Sequence, residues 1–79
     1  MTLKLKYIIT QSGKDALREK FSTPIGDWHH RYAHILLSDF VNLHPEGLDK
    51  PEITSLYGTI GLSYFEELHR EGYFRAIEA

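Results

Sequence analysis

Apolar and polar positions alternate at the start of the chain, then apolar residues recur every third or fourth position. Leu3, Leu5, Tyr7 and Ile9 interleave with Lys4, Lys6, Ile8 and Thr10. Period two predicts a strand over 3–10 with Leu3, Leu5, Tyr7 and Ile9 inward. Gln11-Ser12-Gly13 stops it. Ser12 and Asp15 have capping-box spacing, with Thr10 as the rival cap. A helix is then expected to about Phe21, with Gly13, Leu17 and Phe21 on one face. Thr23-Pro24 predicts the opening of a central helix, because proline at the first helical position loses no hydrogen bond. Ile25, Trp28, Tyr32, Ile35, Leu36 and Phe40 supply its expected core face.

His44-Pro45-Glu46-Gly47 reads as a turn. Asp49 precedes Glu52 by three, an acidic capping box with Pro51 in the first turn, so a short helix is expected through Ile53, Leu56 and Tyr57. Gly58 is its candidate left-handed end. Thr59 can cap a further helix over 60–71, with Ile60 or Gly61, Leu62, Phe65 and Leu68 inward and Gly72 terminating it. Tyr73 to Ala79 reads as a closing strand. The whole predicts one α+β domain over 1–79, mostly helical, with about four helices and a strand at each end.

Composition narrows the classes. The chain has 79 residues, 42% hydrophobic and 13% aromatic, which suits one folded domain. It has no cysteine, excluding disulfides, thiolate metal sites and a cysteine nucleophile. A small secreted domain often needs disulfides, so a cytoplasmic location is expected. Met1 to Tyr7 lacks the apolar core of a signal peptide, and no apolar run is long enough to predict a membrane span. The net charge is −2, with an uneven distribution. Residues 1–24 hold five cations against two acids, and residues 25–79 hold four cations against nine acids, a net of −5. A basic N-terminal element facing an anionic partner is one reading of this, and ordinary surface scatter is the other.

The order short helix, tight Gly58-Thr59 turn, second helix, Gly72, strand is that of a helix-turn-helix followed by a wing strand. Leu68-His69-Arg70-Glu71-Gly72-Tyr73-Phe74 resembles the exit of a winged-helix recognition helix. Tyr7-Ile8-Ile9-Thr10-Gln11-Ser12-Gly13-Lys14-Asp15-Ala16-Leu17 resembles the returning wing strand and following helix of PadR-like and MarR-like regulators. Together these segments cover about a quarter of the chain. In those families the second segment follows the first; here it precedes it. The resemblance therefore implies a winged helix in circularly permuted order, with strand 3–10 and 73–79 paired as a two-stranded antiparallel sheet joining the chain ends and the wing loop missing. The alternative is a chance match at the N-terminus, with the strands pairing differently.

The resemblance implies a small transcription-associated module binding double-stranded DNA. Ser63, Tyr64 and Arg70 would read bases, while Lys4, Lys6, Lys14 and Arg18 would hold phosphates. Glu66, Glu67 and Glu71 oppose that role. The alternative is a protein-binding adaptor that uses Tyr64, Glu66 and Glu67 on the same helix, without nucleic acid or catalysis. A homodimer through helix 11–21 is also implied by the resemblance.

Candidate chemistry is sparse. His30 and His34 share a helix face at metal-binding spacing, beside His29, but Arg31 opposes a cation and no carboxylate completes a site. Solvent-facing histidines, with Asp27 pairing Arg31 one turn on, are the simpler reading. Gly58-Thr59-Ile60-Gly61 lacks the Lys-Ser/Thr of a phosphate loop. Glu66 and Glu67 are adjacent and diverge on a helix. No enzyme activity, cofactor or metal is expected.

Overall fold

The computed structural model describes residues 5–78, so Leu3, Lys4 and Ala79 lie outside the described residues. Strand β1 spans Leu5–Ile9, helix α1 Gln11–Glu19, helix α2 Trp28–Asn42, helix α3 Lys50–Arg70 and strand β2 Phe74–Glu78. The two strands pair antiparallel, with Leu5 opposite Glu78 and Ile9 opposite Phe74. The predicted α+β class and the pairing of the two chain ends are present. On β1's other edge, Tyr7 and Leu48 exchange two backbone hydrogen bonds of 2.7 and 3.1 Å. The spatial order across the sheet is therefore Leu48, β1, β2.

Among the described residues there are three helices, not about four. Gly58, at φ 75° and ψ 179°, bends α3 at a single residue, so its two halves follow each other without a loop. The cap at its start is the predicted one. The Asp49 carboxylate accepts from the Glu52 N–H (2.8 Å), and Glu52 accepts from the Asp49 N–H (3.1 Å). Two other boundaries differ. Thr10 rather than Ser12 caps α1, because its hydroxyl stands at the strand exit and accepts from the Gly13 N–H. Asp27 rather than Thr23 caps α2, and residues 21–27 are irregular, with Gly26 at φ 103°.

The core is built on three phenylalanines. Phe40, Phe65 and Phe74 come from α2, α3 and β2, with Phe74 4.7 Å from Phe40 and 4.8 Å from Phe65 between ring centroids. Tyr7 meets Phe65 edge-on at 5.1 Å, a favoured aromatic geometry. Ala33, Leu36, Leu37, Ile53 and Leu68 complete the interior. This corrects the expected face of α2. Leu36 and Phe40 are buried, but Ile25, Trp28 and Ile35 are exposed and Tyr32 is half-buried. Ala33, Leu36, Leu37 and Phe40 form a second row at helical spacing, turned toward the sheet and α3. On β1, Tyr7 is buried, whereas Leu5 is exposed.

Candidate interaction surface

Beyond Gly58, α3 presents Ser63, Glu66 and Arg70 at three- and four-residue spacing on its outward face, with Glu67 at the edge between that face and α2. Ser63 and Arg70 are exposed, and the two glutamates are about half so. Glu66 lies 3.5 Å from Lys50 Nζ, and Glu67 lies 3.4 Å from His29 Nε2. Glu66 and Glu67 each lie one turn from Arg70, so its charge sits among carboxylates.

Tyr64 does not share this face. It turns toward α2, where its ring stacks on Tyr32 at 4.7 Å and 12° and meets the edge of His29 at 6.0 Å. Trp28 and Ile60 flank that stack and open to solvent, at 64% and 63% exposure. These four side chains line a groove of about 300 Å³ between the two helices. The Arg31 guanidinium lies 5.2 Å from the Trp28 ring centre, a cation–π contact. Asp27 accepts from the His30 N–H instead of pairing with Arg31.

The basic residues expected to face phosphate are not gathered around α3. Lys6 lines a cleft at the other end of that helix, beside Glu46 and Glu52. Lys14 and Arg18 are exposed on α1, and Arg18 is held by Asp15 at 2.9 Å. The start of α1 does approach the end of α3. Thr10 Oγ1 donates to the Gly72 carbonyl at 2.7 Å, and the Thr10 N–H donates to the Tyr73 carbonyl at 2.9 Å. Lys14 and Arg70 thus belong to the same end of the molecule, and Lys6 does not. Lys4 lies outside the described residues.

The histidines have structural partners. His30 Nε2 donates to the Thr23 carbonyl (3.0 Å), and His34 Nδ1 donates to the Phe21 carbonyl (2.8 Å). Both rings pin the irregular segment 21–27 onto α2, and Phe21 packs edge-on against His30 at 5.1 Å. Among the described residues no group of three or more His, Cys, Asp or Glu could hold a metal ion. Among the same residues no helix is long and apolar enough to cross a membrane.

Behind the groove, the Tyr57 hydroxyl donates to Asp39 Oδ2 at 2.7 Å. Burial, then the hydrogen bond to Asp39 and its negative charge, push the Tyr57 phenol well above the usual tyrosine range.

The groove was missed by sequence reasoning because Trp28 and Tyr32 were placed in the core. Two overlapping rows run along α2, and the one with the larger side chains faces outward. The flanking run His29-His30-Arg31 was the available signal that Trp28 stands near water. Comparison with protein-family models, with curated proteins and with solved structures found no match to this chain.

Proposed function

We propose that this domain is a protein-binding adaptor built on a permuted winged-helix plan, engaging its partner through the second half of α3 and the adjoining part of α2. The observation that carries this reading is the pairing of an acid-rich face, Glu66 and Glu67 around Arg70, with solvent-exposed Trp28 and Ile60 on its flank. Interfaces draw on exposed Trp, Tyr and Arg, whereas duplex DNA demands unpaired cations. The winged-helix plan is supported by the sheet order Leu48, β1, β2, by the bend at Gly58, and by the meeting of Thr10 and Gly13 with Gly72 and Tyr73. Fold alone does not select the ligand, so the side chains of the surface decide it.

The second reading is DNA binding. It is favoured by the helix-bend-helix of α3 and by Lys14 and Arg70 at one end of the molecule. One experiment separates the two. Fluorescence anisotropy with mixed-sequence duplex DNA is recorded at about 50 mM and about 200 mM salt, where counterion release makes true binding fall steeply. The adaptor reading expects no binding at the lower salt. It also expects partner capture that is lost in a Glu66→Lys/Glu67→Lys variant. Micromolar, salt-sensitive DNA binding, weakened by Arg70→Ala and Lys14→Ala, would replace it with the DNA reading.

A further inference from the structure

The groove between α2 and α3 has a polarity along its length. On the α3 side Ile60, Tyr64, Glu67 and Glu71 follow at spacings of four, three and four, so they form one row. The row is apolar at its Ile60 end and acidic where the helix finishes. On the α2 side stand Trp28 and Tyr32, with Trp28 carrying Arg31 over its face. The stacked Tyr32 and Tyr64 rings form a flat aromatic wall. Trp, Tyr and Arg dominate the energetics of interfaces, and here all three converge on one opening.

We infer that this groove is the docking site for a basic amphipathic helix of the partner protein, an inference that rests on the adaptor reading. A bulky apolar side chain of that helix would enter between Trp28 and Ile60 and lie on the tyrosine wall. Its lysines or arginines would face Glu67 and Glu71. This is helix-in-groove recognition, in which an apolar row supplies affinity and flanking charges fix direction. Charge selects this occupant over two others. A second copy meeting groove to groove would bring these acids against themselves, and a nucleic acid would set phosphates beside the same acids.

The test uses Trp28, the single tryptophan of the chain, as its reporter. The whole protein is titrated with a tryptophan-free helical peptide of leucine and lysine in amphipathic order, with the same composition scrambled, and with a leucine–glutamate analogue. The expected result is a blue shift of Trp28 emission with the ordered lysine peptide alone. Ile60→Asp, at a position too exposed to disturb the core, and Glu67→Lys should each weaken its binding about tenfold, or about 1.4 kcal/mol. Circular dichroism confirms that both variants remain folded. Equal response to the lysine and glutamate peptides would overturn the inference, as would no response to any peptide. A blue shift that grows with protein concentration alone would also overturn it by making a second copy the occupant. Binding that survives Ile60→Asp but is lost in Glu66→Lys would overturn the groove while leaving the adaptor reading intact on the outward face of α3.

Discussion

Gly13 lies so close to Tyr73 that a methyl group on its α-carbon would run into the Tyr73 carbonyl oxygen and stand 2.6 Å from Ile9 Cγ1. This contact joins the two ends of the chain. Thr10, three residues earlier, donates from both its hydroxyl and its amide to the Gly72–Tyr73 corner. Gly13→Ala would improve helix propensity, worth up to about 1 kcal/mol. The overlap opposes it with backbone that cannot step aside, and such overpacking costs about 1–3 kcal/mol. The expected outcome is net destabilisation, read as a lower midpoint in thermal unfolding. A higher midpoint would show that α1 can shift away from β2.

Two caps on α1 competed in the sequence, and they make different predictions. Thr10 accepts from the Gly13 N–H and also donates to Gly72, so Thr10→Ala removes two hydrogen bonds. Loss of a cap costs about 1 kcal/mol, and the second bond should raise the cost toward about 2 kcal/mol. Ser12 is exposed inside the first turn, so Ser12→Ala should change stability by less than about 0.5 kcal/mol. Urea unfolding of the two variants side by side checks the ranking, and an equal loss would contradict the cap as described.

These boundaries show what was local enough to read from the chain. The Asp49–Glu52 capping box and the Gly72 stop depend on neighbouring residues, and both stand where the sequence placed them. The pairing of β1 with β2 came from the resemblance rather than from the residues, since two short strands at the chain ends carry no local signal of their partner. The face of α2 was not. Ala33, too small to advertise itself as core, sits fully buried where the helix meets its neighbours, and Trp28 was displaced outward. The start of α2 was misplaced because His30 and His34 hold residues 21–27 through backbone carbonyls, a tertiary arrangement without local signature. On the surface, Glu66 and Glu67 were legible as diverging on the helix, and they reach different partners, Lys50 and His29. The separation of Lys6 from Arg70 depended on tertiary packing, which leaves no local signal.

Alkaline pH should weaken the fold through Tyr57. Its phenol is held neutral by burial and by Asp39, so its folded pKa is raised above the unfolded value near 10. A raised pKa contributes stability that is complete below the unfolded pKa and is lost as pH climbs from about 10 toward the folded value. Tyr57→Phe removes the hydroxyl and this pH dependence together. The variant should be less stable by about 1 kcal/mol at neutral pH, a small figure because the site is only partly buried. The gap between the two proteins should narrow above about pH 10. Thermal midpoints measured across the alkaline range check this, and a constant gap would place the pH response elsewhere.

Gly58 tests the bend in α3 by a different route from Gly13. An added Cβ at Gly58 meets nothing within 4 Å, so space is no obstacle. The obstacle is the backbone, because φ 75° with ψ 179° is a region that essentially only glycine occupies. Gly58→Ala must either bear about 1–3 kcal/mol of strain or straighten the helix. Straightening would swing Ile60, Gly61 and Tyr64 away from Tyr32 and break the aromatic stack. Strain alone would lower the unfolding midpoint and leave the near-ultraviolet dichroism of the Tyr32, Tyr64 and Trp28 cluster unchanged. Straightening would alter that spectrum. The core contacts of Phe65 and Leu68 follow the bend and hold it in place, so the expected outcome is a lower midpoint with the aromatic spectrum retained.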